Sequence, residues 1–213
     1  MTKLLRAPSM IAVAIALVLW MISTFVFPAS SAWLFDLQPA LSDEGRIEIF
    51  ENLLVLACAL SWIGIARRVR DRRRPLVIAC AMIAQLALIL VEELDWGRVF
   101  GLPPVLPQRN LRMTLRSMGL LSPGMDPDAF VAFLVVFMLS PLVPSARYRA
   151  WWEGAAPVRA ERSDAIAAVV AMGVFLGSRL ALHERASFEL LQSCEYLVLA
   201  AATWRIARAT RRA

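Results

Sequence analysis

The chain has 213 residues, of which 59% are hydrophobic and only 19% charged, and its mean hydropathy is +0.61. Soluble domains hold about half apolar residues, so this composition argues against a water-soluble fold. Lys and Arg number 23 against 17 Asp and Glu, net +6 with a pI of about 10.2, which leaves nucleic acid or anionic lipid open as partners until the charges are located.

A spanning helix needs about 20 mostly apolar residues, because its backbone has to satisfy its own hydrogen bonds in hydrocarbon. Six stretches qualify in chain order: 10–27, 47–66, 76–92, 129–143, 165–182 and 188–206. The expected fold is therefore all-α, a single integral membrane domain over residues 1–213 built as a polytopic bundle of six transmembrane helices. The first stretch follows Lys3 and Arg6 and precedes small residues at 29–32, as a signal peptide does. At 18 residues it exceeds the apolar core of such a peptide, about 7 to 15, and reads as an uncleaved span. The fourth stretch is the shortest and ends in Pro141 and Pro144, which predicts a kink or a tilt.

Cationic residues mark the cytoplasmic side of a membrane protein. Here they alternate loop by loop: Lys3 and Arg6, then Arg67 to Arg74, then Arg147, Arg149, Arg159 and Arg162, then Arg205 to Arg212. This predicts N-in, C-in topology in a bacterial inner membrane. The Arg67 to Arg74 run lies in a short loop between two spans and reads as a topology signal, so no nucleic-acid partner is expected and the lipid bilayer is. Trp33 and Trp96 fall near outer ends, and Trp62, Trp151, Trp152 and Trp204 near inner ends, as interfacial indoles do; Trp20 sits deep. Cys58, Cys80 and Cys194 lie inside spans at different depths, so no disulfide framework is expected. No cofactor or nucleotide motif is present.

Acidic residues take the opposite side. Thirteen of the 17 carboxylates fall outside or in the outer half of a span, with seven basic residues; the remaining four lie inside with sixteen. Glu44, Glu48 and Glu51 share a helical face entering the second span. The third span ends in Glu92, Glu93, Asp95, Trp96, Gly97 and Arg98. Arg179 and His183 are i, i+4 neighbours at the end of the fifth span, and the sixth contributes Glu189, Gln192 and Glu195. An ionisable residue inside the bilayer normally faces the bundle interior, paired, and marks function.

These residues define the expected site. Glu92, Glu93 and Asp95 are the candidate acids or bases, Glu51, Arg98, Arg179, His183 and Glu195 the candidate ligand-binding groups, and Glu92, Glu93 and His183 the candidate metal ligands. Adjacent carboxylates favour shared protons or a bound cation. A metal site, general acid/base chemistry at the outer face and a proton- or cation-coupled path all remain open. The leading expectation is a lipid-headgroup or small-ligand site with or without turnover. A non-catalytic assembly protein competes with it; a transporter fits less well, since the inner halves of the spans carry almost no acid. In the outer loop 97–128, residues 108–120 set Arg109, Arg112 and Arg116 against Leu111, Leu115 and Met118, as in a short interfacial helix that contacts anionic headgroups. Gly173, Gly177 and Ala181 form a small-residue ridge expected to favour close helix packing.

The segment Val91-Glu92-Glu93-Leu94-Asp95-Trp96-Gly97-Arg98-Val99-Phe100-Gly101 resembles the signature of a family of uncharacterised bacterial multi-pass membrane proteins with a Glu-Glu-x-(Ser/Asp)-Trp-Gly motif. Asp43-Glu44-Gly45-Arg46-Ile47-Glu48 is similar to that family's Glu-Asp-Gly-x-x-Glu stretch. The resemblance implies a helical multi-pass membrane protein and carries no biochemical activity. Where the family has Asn-Leu-His-Asn this chain reads Thr114-Leu115-Arg116-Ser117, with Arg112 in place of the usual acid. Any metal or proton relay that the family builds from that acid and His would be changed here.

Overall fold

The computed structural model describes residues 7–21, 46–93, 137–181 and 185–212, with side chains undescribed at 20, 46–48, 91–93, 174–181 and 185–194. These segments are helical, and no strand occurs among the described residues. The helices are α1 (Pro8–Met21), α2 (Arg46–Arg68), α3 (Arg73–Glu93), α4 (Ala146–Glu153), α5 (Arg162–Ala181) and α6 (Arg185–Thr210), with a 3-10 turn at Ser140–Leu142.

Local chemistry sets the boundaries. Helix α2 closes on Arg67 and Arg68, whose charges suit the negative end of the helix dipole. After four intervening residues α3 begins, and Pro75 is tolerated because it falls in the first turn, where its missing N–H has no intrahelical partner to lose. Pro141 ends the fourth apolar stretch in the 3-10 turn, and Val143, preceding Pro144, is extended with φ −70° and ψ 121°. Ser145 then caps α4, its hydroxyl accepting from the Tyr148 N–H, and Gly154 closes it.

Helix α6 is the centre of the assembly, packed against α1, α2 and α5; α2 and α3 form an antiparallel hairpin, and α1 also touches α5. The core is made from Val55, Cys58, Trp62 and Ile65 of α2, Ile78, Met82 and Leu86 of α3, and Val198, Ala202 and Ile206 of α6. At its middle the fully buried Trp62 donates from Nε1 to Thr203 Oγ1 at 3.1 Å. Trp62 is thus a core residue, with its ring turned into the bundle. Trp204, 53% exposed with the Arg208 guanidinium over its ring, keeps the interfacial character.

Among the described residues, two helices are long and apolar enough to cross a membrane, over Ile49–Arg68 and Arg73–Leu90, and only 33% of each is buried. Their outer faces are apolar as well. Ile49, Leu53, Leu56 and Leu60 recur at helical spacing along the exposed side of α2, opposite the buried Val55, Cys58 and Trp62. Ile11, Ile15 and Val18 do the same on the shorter α1. Apolar stripes of this extent on a surface mark contact with lipid or protein. The small-residue ridge is not used at Gly173, which is exposed and would meet no atom within 4 Å on gaining a Cβ.

Candidate functional site

Of the residues expected at the outer site, Glu51 and Glu195 have described side chains. Glu51 is buried, 2% exposed, in an otherwise apolar stretch of α2, and Glu195 is partly buried on α6. Helices α2 and α6 run parallel, because both C-terminal ends close on segment 137–164: Trp62 through Phe137 and Trp152, Arg205 through Asp164 and Glu161. Glu51 lies eleven residues before Trp62, and Glu195 eight before its partner Thr203. At about 1.5 Å per residue they stand roughly 16 and 12 Å above that contact, less than one helical turn apart in height.

Asn52, beside Glu51, was not among the expected site residues. It is 9% exposed and its Oδ1 is buried without a hydrogen-bond partner. A polar residue beside an acid in an apolar run is the signal that marks it. Glu92 and Glu93 form the last two positions of α3 and Arg179 lies near the end of α5. Their side chains, together with Asp95, Arg98, His183 and the stretch 108–120 where an interfacial helix is expected, lie outside the described residues. The three metal-ligand candidates therefore fall there as well.

A second polar centre sits at the other end of the bundle, where α5 begins. Asp164, 1% exposed, occupies the third position of α5, and its Oδ2 accepts from the backbone N–H of Glu161 at 2.8 Å. That bond is one half of a capping box. The same oxygen accepts from Arg205 Nη2 at 2.6 Å and Nε at 3.1 Å. Arg205 also donates from Nη1 to Glu161 Oε1 at 2.8 Å and from Nη2 to the Arg159 carbonyl at 3.0 Å. One guanidinium on α6 thus ties down the whole entry to α5. The Glu161-x-x-Asp164 spacing before an apolar run is legible as a cap; its partner, 41 residues on, is not.

Beside this clamp lies a cavity of about 230 Å³ between the 3-10 turn, α4 and the start of α5, lined among others by Ser140, Arg149, Trp152, Arg159 and Arg162. Its back wall continues an aromatic chain. Trp62 meets Phe137 edge-on with centroids 5.7 Å apart, Phe137 meets Trp152 at 5.7 Å, and Trp152 contacts Trp151 at 4.9 Å and Tyr148 at 6.0 Å. Trp152 is 8% exposed and Trp151 41%, so only the latter presents its ring to the surroundings. The Arg74 guanidinium packs over Gly154, where a Cβ would collide with it, joining the start of α3 to the end of α4.

No protein-family model matches the chain, and no curated protein or solved structure shows significant similarity to it.

Proposed function

We propose that this chain is a multi-pass protein of the bacterial inner membrane, with six spans and both termini in the cytoplasm. Its outward-facing site, formed by Glu51, Asn52, Glu92, Glu93, Asp95, Arg98, Arg179, His183 and Glu195, binds a lipid headgroup or a small ligand, with or without turnover. The observation that carries this reading is the buried Glu51 in a helix long and apolar enough to cross a membrane, with the unpartnered Oδ1 of Asn52 beside it. Carboxylates at this depth are costly and are normally retained for function. A carboxylate and an amide oxygen are both acceptors, so they suit the donor or cationic end of a ligand. Glu195, less than a turn away in height on the adjoining helix, adds a third acceptor at the same level.

Complementation of a chromosomal deletion tests it. Glu51→Gln and the pair Glu92→Gln with Glu93→Gln are expected to abolish rescue of the deletion phenotype, or of its altered lipid profile, at unchanged protein level. Full rescue by both variants would remove the outer site from consideration.

A further inference from the structure

The geometry points to an anion site at the opposite end of the bundle from Glu51: the cavity between the 3-10 turn, α4 and the start of α5 takes a phosphate group.

Three observations carry this independently of the outer site. The first is room: about 230 Å³ exceeds the cavity of about 150 Å³ that admits a benzene ring, so a phosphate with a short ester substituent fits. The second is charge. Arg149 from α4, Arg159 from the connecting turn and Arg162 from the first position of α5 all line the cavity, and none has a carboxylate partner among the described residues. Glu161 on the same wall is occupied by Arg205, which leaves Glu153 as the one lining carboxylate outside that clamp. Guanidinium groups arriving from three separate segments match an anion with oxygens on several sides, as phosphate has.

The third is an orphaned donor. Trp152 lines the cavity, is more than nine-tenths buried, and its Nε1 has no hydrogen-bond partner. Indole N–H is a donor only, so the group that satisfies it has to be an acceptor. Ser140, 4% exposed, brings a hydroxyl to the same lining. The positive end of the 20-residue helix α5 borders the site and favours the same sign of ligand.

A phosphate group reaches this place on a lipid headgroup or on a soluble ester, and the test separates the two. Full-length protein in phosphatidylcholine nanodiscs is titrated with inorganic phosphate, followed by tryptophan fluorescence and calorimetry. Saturable binding is expected, weakened at least tenfold by Arg159→Gln with Arg162→Gln and several-fold by Trp152→Phe, which keeps an aromatic ring and deletes the donor. Both arginines are exposed, so the double variant is expected to retain the helicity and elution volume of the parent. Arg211→Gln with Arg212→Gln, on the tail, leaves the affinity unchanged. Repeating the titration with phosphatidylglycerol in the nanodisc assigns the source: suppressed phosphate binding identifies a lipid headgroup, and unchanged binding a soluble phosphate. Absence of saturation, unchanged affinity in the Arg159/Arg162 variant, or an equal loss in the tail variant overturns the site.

Discussion

At Asp164 a single carboxylate oxygen accepts from a backbone N–H and from two nitrogens of Arg205, with almost no access to solvent. Removing one partner of such a pair leaves the other desolvated without compensation, which costs several kcal/mol when both are deeply buried. Arg205 keeps some exposure, 16%, and retains Glu161, so Asp164→Ala is expected to destabilise by about 2–3 kcal/mol. Glu161→Ala removes an ion pair whose acid is 56% exposed and is expected to cost less than about 1 kcal/mol. Heating the purified variants and measuring the monodisperse fraction that remains orders them; a larger loss for Glu161→Ala than for Asp164→Ala would contradict the clamp. Asp164 is one of only four carboxylates that the charge asymmetry assigns to the inner side, and in the sequence it looks like a remainder. Its importance depends on a partner 41 residues away, and local spacing is silent about that distance.

Between elements, α2 and α6 meet at a buried polar point, where the Thr203 side chain is hydrogen-bonded by both Trp62 and Cys58. Trp62 donates to Thr203 in a fully dry setting while its ring packs edge-on to Phe137. A buried hydrogen bond of this kind contributes about 1 kcal/mol net. Trp62→Phe, which also loses ring volume, and the near-isosteric Thr203→Val each delete one partner, and are expected to couple by about 1 kcal/mol in a double-mutant cycle of thermal stability, in which the volume term of the single variant cancels. Additivity would show that the Trp62–Thr203 hydrogen bond itself adds nothing to the stability of the pair. At this scale the sequence is a good guide to long apolar helices. The stretches 47–66 and 76–92 correspond to Arg46–Arg68 and Arg73–Glu93, and 165–182 and 188–206 to Arg162–Ala181 and Arg185–Thr210. Hydrophobic period and length suffice for these. They do not reveal α4, a charged eight-residue helix whose place is fixed by Trp152 packing on Phe137 and by Arg74 over Gly154. Those neighbours become adjacent only after folding.

For the whole molecule, the proposed topology makes the outer carboxylates and the inner arginines two ends of one polarity. Glu51 with Asn52 stands toward one end of α2, and the Arg205 clamp with its neighbouring arginine-lined cavity closes the other. Exposed apolar stripes on α1 and α2 lie between them, the distribution expected of a surface in contact with lipid. Glu51 and Glu195 stand out in the sequence as candidates because an acid in an apolar run is conspicuous. The arginines that line the cavity do not stand out, because the expected positive-inside topology accounts for them without a site. The decisive measurement is cysteine accessibility from the two sides of the membrane, in a variant whose Cys58, Cys80 and Cys194 are replaced by Ser. With single cysteines at Asp126 and at Arg149, a membrane-impermeant thiol reagent added to spheroplasts is expected to label position 126 at once, and position 149 only after permeabilisation. Labelling of position 149 in intact spheroplasts, or protection of position 126, would contradict an outward-facing acidic site and an inward-facing arginine cavity.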